Sequence, residues 1–449
     1  MPPLSLLVKP VSGLCNMRCP YCFYADEMRR REVALRGPMT PDTAEKIVRR
    51  AFAFADGEVA FAFQGGEPTL AGAAFYRQWL RLEARHNARR LRVRHTLQTN
   101  GLQISEELLE VFVQGRFLLG VSLDGTKALH DARRRDAAGG ATYDRVTRTL
   151  RRLREAGVPC NVLCVVDRRV ARAADAVYDA LRPYGYMQFI PRLEAPGEPA
   201  GEDALTAEDY GRFLIRAFAR YASDWRAGRF VSVRAFDNWV GMLCGMPPES
   251  CDMRGRCSLQ FLVESDGSVY PCDFYALDDW RMGNIREDSL VRLAKSQEAK
   301  RFLRTSQAVD ARCRDCRWYG LCRGGCRRER EGAEGAPGLY RLCEGLKTFF
   351  EACYPEMERL ARLAAARRGG TCGADGLTGR PTGRKTLALR GELGYDRGSI
   401  PIQEVSHARD RTAFHGRYAG AKRQARGKAP RLGRFCGRRR GQLHEPVSD

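Results

Sequence analysis

Short apolar runs rich in β-branched residues alternate with longer amphipathic segments through the first half of the chain. The runs "LSLLVK", "VAFAFQ", "RHTLQT", "FLLGVSL", "CNVLCVV" and "YMQFIP" have the length and residue types of buried strands. Between them, apolar positions recur at helical spacing. In "TPDTAEKIVRRAFAF" Thr40 is placed to cap and Pro41 takes the first helical position, and "TYDRVTRTLRRLREAG" is closed by Gly157. Six strand-then-helix periods predict an α/β fold, a partial (β/α)6 barrel with a parallel sheet. After the helical stretch "AEDYGRFLIRAFARYASDW" the pattern changes to short, Gly-punctuated, cysteine-rich segments. A boundary near Ser232 to Phe236 divides a barrel at 1–235 from a cysteine-rich domain at 236–366, which closes with the amphipathic "LCEGLKTFFEACYPEMERLARLAAA".

Composition adds a third region. The 449 residues carry a net charge of +22, and 367–449 holds 19 Lys/Arg against 7 Asp/Glu, an excess of twelve. This basic, Gly- and Arg-rich tail lacks apolar periodicity and reads as disordered. The opening "MPPLSLLVKPVSGL" has neither the basic start nor the cleavage site of a secretory leader, and no apolar run approaches the roughly 20 residues of a membrane span. A soluble, cytoplasmic protein with no membrane partner is expected.

Seventeen cysteines are too many for a reducing compartment unless they bind metal or do chemistry. Cys15, Cys19 and Cys22 stand at C-x3-C-x2-C spacing in "GLCNMRCPYCFY". A [4Fe–4S] cube takes four thiolates, so three leave one iron open to a non-protein ligand. A zinc ion completed by a distant residue is the other reading. Eight more, Cys251, Cys257, Cys272, Cys313, Cys316, Cys322, Cys326 and Cys343, suffice for two four-ligand sites, either iron–sulfur or zinc. Their order alone allows many partitions. Cys160, Cys164, Cys244 and Cys353 read as buried, inert thiols. In a βα fold the chemistry gathers at the C-terminal ends of the strands. The words that fall there are the three-cysteine loop, "QGGEPTL", "QTNGL" and "SLDG".

With Tyr21 before its last cysteine and "GGEP" one βα unit later, the loop resembles the radical S-adenosylmethionine (SAM) enzymes. The resemblance implies that the three-cysteine cluster binds SAM, from which a 5′-deoxyadenosyl radical is made. It also implies that Gly65 and Gly66 admit the methionine part, that Glu67 meets its amino group, and that Ser122, Asp124 and Arg134 are further contacts. Gln98 and Asn100 lie on the same rim. The later cysteines resemble the SPASM extension, which implies one auxiliary cluster on Cys251, Cys257, Cys272 and Cys326 and a second on Cys313, Cys316, Cys322 and Cys343. That makes three [4Fe–4S] clusters in all.

"CNMRCPYCFY", "QGGEPTL", "HDARR" with "TYDRV", "YMQFIPRLE", "VRAFDNW", "VESDGSVYPCDFYALD" and "MGNI" resemble, in order, the anaerobic sulfatase-maturating enzymes. The resemblance covers about Pro2 to Ala366. It implies oxidation of a Cys or Ser, in a Cys/Ser-x-Pro-x-Arg motif of an unfolded sulfatase polypeptide, to Cα-formylglycine. Asp273 in "CDFY" would be the base, a flavodoxin or ferredoxin the reductant, and the enzyme a monomer. Two alternatives stand beside it: another radical SAM/SPASM maturase forming thioether or carbon–carbon crosslinks, and a zinc protein that binds nucleic acid through its tail.

Overall fold

The computed structural model describes residues 3–194, 201–330 and 338–367. Beyond Arg367, the expected tail lies outside the described residues. Each predicted run forms a strand: β1 Leu4–Val8, β2 Glu58–Phe63, β3 Arg92–Thr99, β4 Leu118–Ser122, β5 Cys160–Val166 and β6 Tyr186–Pro191. They pair in parallel in chain order. One side of every strand is apolar because the side-chain period is two. Leu6, Val8, Phe61, Phe63, Leu97, Val121, Val162 and Cys164 are all buried beneath the helices. Each fully buried aliphatic or Phe side chain stabilises the fold by about 1.5–3 kcal/mol. The other face holds half-buried polar residues, Gln98 and Ser122 among them.

Helix ends follow the local sequence signals. Thr40 Oγ1 accepts from Thr43 N–H at the start of Pro41–Phe54, and Gly157, at φ +72°, ends the turn after Tyr143–Glu155. Thr206 likewise caps the helix Ala207–Arg226.

The sheet does not stop at the expected boundary. β7 Ser232–Val233 extends it beyond β6, while β8 Leu262–Val263 joins β1 in parallel, with Leu7 opposite Leu262. β9 Ser268–Tyr270 and β10 Gly283–Asn284 then add antiparallel strands at that edge. These four strands have two or three residues each, too few for a periodic signal. The added edge brings the segment after β9, which contains Cys272 and Asp273, next to the loop after β1.

A second link joins the two expected domains. The helix Cys343–Arg367 crosses Ala207–Arg226 with no side chain between the backbones. A Cβ on Gly211 would stand 2.7 Å from the Gly345 carbonyl oxygen, and one on Gly345 would stand 2.0 Å from that of Ala207. Around this crossing Phe218, Phe236 and Trp239 pack against Phe349 and Phe350. All described residues fall within one compact unit, and no helix among them is long and apolar enough to cross a membrane.

Candidate active site

The three-cysteine loop leaves β1 and runs directly into the helix Phe23–Arg29. Its backbone is held from outside: Arg18 N–H donates to Arg135 O at 2.9 Å, and Ala137 N–H donates to Asn16 O at 3.0 Å. Asn100, after β3, donates to Asn16 Oδ1 at 2.8 Å and approaches Cys15 Sγ at 3.7 Å. Burial pushes the Cys15 and Cys19 thiols up, Cys19 to about 11, and the Cys22 sulfur raises both further. Such thiols stay protonated at neutral pH unless a metal takes the proton's place. Three thiols on one short loop are a donor set suited to a cluster.

"GGEP" lies against this loop. Gly66 N–H donates to Ser12 O at 3.0 Å and Glu67 N–H to Leu14 O at 2.8 Å. A Cβ on Gly66 would stand 2.1 Å from Leu14 O and 2.5 Å from Gly13 C, and Gly65 is at φ +117°. The glycines are needed for backbone to meet backbone. Gly66→Ala must displace the segment that carries Cys15. The expected result is destabilisation by about 1–3 kcal/mol and loss of first-loop iron with the other iron kept, read by thermal melting and iron analysis.

Glu67 is fully buried, and its carboxylate is committed to the protein. Oε1 accepts from Thr69 N–H at 3.0 Å, Thr69 Oγ1 at 2.7 Å and Thr99 Oγ1 at 2.8 Å, and Oε2 accepts from Asn100 N–H at 2.8 Å. Burial raises its pKa, and these donors oppose the rise. Asp124 is equally engaged. Arg134 Nε and Nη2 donate to it at 2.8 and 3.3 Å, Val165 N–H at 2.9 Å, and the Tyr21 hydroxyl also donates. This pair is a buried strut that reaches the cysteine loop through Tyr21. His130 completes it: Nδ1 accepts from Asp124 N–H at 3.2 Å while Nε2 meets Thr142 Oγ1 at 3.0 Å. Burial and the Arg134 charge lower His130 to about 4, so it stays neutral. Ser122, half-buried on the rim, accepts from Gln98 Nε2 at 3.2 Å.

The eight later thiols interact within two groups. Burial pushes Cys272 well up, with Cys251 and Cys257 adding to the rise. Cys251 stands at about 11 for the same reason, with Cys257 contributing, and Cys326 feels both Cys251 and Cys272. Separately, burial pushes Cys322 to about 12 with Cys343, Cys313 and Cys316 contributing, and Cys313 and Cys343 each feel Cys316. Among the described residues no three His, Cys, Asp or Glu side chains converge as for a single ion. Cluster thiolates need not converge, because each binds a different iron of the cube.

Asp273 joins the two cysteine regions. Its Oδ2 accepts from Tyr24 Oη, two residues past Cys22, and from Gln64 Nε2, just before "GGEP", both at 2.7 Å. Phe23 packs edge-to-face on Phe274 with ring centroids 5.0 Å apart. Asp273 Oδ1 is buried without a hydrogen-bond donor, and Lys9 Nζ lies 3.5 Å away. Behind it is a buried charge network. Lys9 Nζ stands 3.3 Å from Glu27 Oε2 and 3.5 Å from Glu264 Oε1, and Arg31 bridges the same two carboxylates at 3.0 and 2.6 Å. Burial pushes Glu27 up to about 7 against the pull of Lys9 and Arg31.

Tyr24 and Gln64 stand inside the words "CFY" and "QGG", yet sequence reasoning gave them no role. Lys9, Glu27, Arg31 and Glu264 carry no signal in the sequence: Lys9 and Glu264 are single charges after apolar runs, and Glu27 and Arg31 are two among the many charges of "ADEMRRRE".

The radical SAM superfamily model matches residues 10–172, and the SPASM iron–sulfur cluster-binding domain model matches 251–317. The chain is 40% identical over 373 residues to the cysteine-type anaerobic sulfatase-maturating enzyme of Clostridium novyi, covering 82% of this chain and 100% of that one. The serine-type enzyme of Klebsiella aerogenes is 30% identical, over 78% of this chain and 84% of its own. Native anSMEcpe with bound AdoMet and Cp18Cys peptide superposes with a TM-score of 0.77 at 38% identity, covering 81% of this chain and all of that one. The cysteine loops, the bend stitched to the first of them and the match along most or all of the length of these relatives agree: the chain belongs to the anaerobic sulfatase-maturating enzymes, radical SAM proteins with a SPASM iron–sulfur domain.

Proposed function

We propose that this enzyme oxidises a cysteine in a Cys-x-Pro-x-Arg segment of an unfolded sulfatase to Cα-formylglycine, with Asp273 as the base. The observation that carries the reading is the Asp273 carboxylate, gripped by Tyr24 and Gln64 between the two cysteine regions with Oδ1 left without a donor. A base must lie within hydrogen-bond reach of its proton, and Asp273 stands where the two cysteine regions meet, its Oδ1 facing Lys9 at 3.5 Å and taking no hydrogen bond.

The first cluster is assigned to Cys15, Cys19 and Cys22, and SAM to the bend and rim beside it. There Gly65 and Gly66 offer backbone and Ser122 a hydroxyl, while Glu67, Asp124 and Arg134 serve by fixing these segments. The grouping of the thiols supports one auxiliary cluster on Cys251, Cys257, Cys272 and Cys326 and the other on Cys313, Cys316, Cys322 and Cys343. When bound, SAM and the first cluster supply radical chemistry that removes hydrogen from an unactivated carbon, and the auxiliary clusters supply an electron sink. Asp273 takes the thiol proton, and the aromatic pair Phe23 and Phe274 keeps water from its neighbourhood. The division of labour falls at 235/236, with radical generation before it and electron removal after it.

Cysteine is the preferred target, because the 40%-identical relatives carry the cysteine-type name and the serine-type ones are 30% identical or less. A thiol also yields its proton to a carboxylate far more readily than a hydroxyl does. The enzyme acts as a cytoplasmic monomer fed by a flavodoxin or ferredoxin, as suits oxygen-labile clusters on free thiols. The test supplies reconstituted enzyme with SAM, reductant and two peptides that differ only in Cys or Ser at the target. The expected result is aldehyde from both, formed several-fold faster from Cys. Deoxyadenosine with a crosslinked peptide and no aldehyde would mark another kind of maturase.

A further inference from the structure

A buried guanidinium without a carboxylate stands among the auxiliary cysteines. Arg330 is 4% exposed, and its Nη1 has no hydrogen-bond partner. Its Nη2 donates to the Ser306 carbonyl oxygen, and Ser306 Oγ in turn accepts from Cys257 N–H at 3.1 Å. On its other side, Nη1 would lie only 2.7 Å from a Cβ on Gly324, in the loop between Cys322 and Cys326. Its charge also opposes the burial that raises the Cys313 thiol. One side chain thus touches structure belonging to both groups of four thiols.

The nearby carboxylates are engaged elsewhere. Asp310 holds Arg312 through two contacts at 2.9 Å, and Glu329 holds Arg341 at 2.9 Å. Among the described residues no carboxylate pairs with Arg330. An unpaired buried cation costs several kcal/mol, so the site calls for an anion. Two cubes on four thiolates each are net negative, and more so when reduced. Cluster potential follows local charge, hydrogen bonding and exposure.

We propose that Arg330 sets the potential of the auxiliary clusters: its buried positive charge, set between their two ligand groups, favours their reduced form. The inference rests on the cluster assignment proposed above. Oxidation of cysteine to the thioaldehyde removes one hydrogen atom, one proton and one electron. The hydrogen atom goes to the SAM-derived radical, the proton to the base and the electron to an auxiliary cluster, reduced by one unit. Hydrolysis then gives the aldehyde. Arg330 makes the electron's transfer more favourable.

The test uses the full chain, reconstituted anaerobically, with Cys15, Cys19 and Cys22 replaced by Ala so that only auxiliary signals remain. Redox titrations followed by electron paramagnetic resonance compare this parent with Arg330→Gln and Arg330→Lys. In the Gln variant the equilibrium for electron uptake should fall about tenfold for at least one cluster, 59 mV for a one-electron couple, with iron content unchanged. The Lys variant should stay close to the parent. Equal potentials in parent and Gln variant overturn the proposal, as does a Lys shift as large as the Gln shift. Loss of auxiliary iron in the Gln variant makes Arg330 a structural strut and overturns it too. A parent that takes up no auxiliary iron–sulfur clusters would instead bring down the assignment itself, which the arm with Arg330 intact reveals separately.

Discussion

Replacing Cys15, Cys19 and Cys22 together by alanine should abolish SAM cleavage and remove about a third of the iron, four atoms in roughly twelve if each cube holds four. The fold should survive this change. The loop is fastened by Arg18 to Arg135, by Asn16 to Ala137 and by Asn100 to Asn16, none of which uses a thiol. The two later thiol groups lie on separate segments, so their iron remains. The measurement is iron and sulfide per chain, with 5′-deoxyadenosine formed under reductant. Deoxyadenosine from the triple variant would show that the first loop has been misread.

Much of this was legible because it is local. Six strands were visible as β-branched runs because each is five to eight residues long and buried on one face. The cysteine loops were visible because three or four ligands fall within fourteen residues, Cys15 to Cys22 and Cys313 to Cys326. What the sequence did not disclose is pairing across distance. Tyr24 and Asp273 are 249 positions apart, and Arg31 and Glu264 are 233 apart. No period or spacing links such partners until β8 pairs with β1 and draws the two segments together.

Resemblance picks out the words, and the folded chain adds which protein groups each atom in them meets. Glu67 and Asp124 stand where cofactor contacts are expected, yet their oxygens are taken up by Thr69, Thr99 and Asn100 in one case and by Arg134, Tyr21 and Val165 in the other. Whether a carboxylate is already satisfied depends on neighbours from other strands. Gly66 shows the same limit: a glycine in a bend suggests a turn, and only the folded chain reveals the Leu14 carbonyl that a side chain would strike.

Asp273→Asn should leave all clusters in place and SAM cleavage running, yet lower formylglycine by the 10²- to 10⁴-fold typical of a lost general base. Loop capping is the plain structural alternative for an Asp beside a cysteine. The contacts of Asp273 argue against it, since its Oδ2 is held by side chains of two distant segments, Tyr24 and Gln64, and Oδ1 faces Lys9. An asparagine keeps one oxygen for Tyr24 and Gln64 and turns its amide toward Lys9, 3.5 Å from the present Oδ1. That exchange gives up an attraction to a buried cation but leaves the side chain's shape and its two 2.7 Å hydrogen bonds. What it removes is the capacity to take a proton. Hydrogen abstraction from the target carbon does not need that capacity, so 5′-deoxyadenosine should accumulate without matching aldehyde. The ratio of the two products is therefore the decisive reading. Near-normal aldehyde from the Asn variant would sink the assignment of the base. Loss of auxiliary iron would make Asp273 a support for Cys272, and an equal fall in both products would place its effect on substrate or SAM binding ahead of the chemistry.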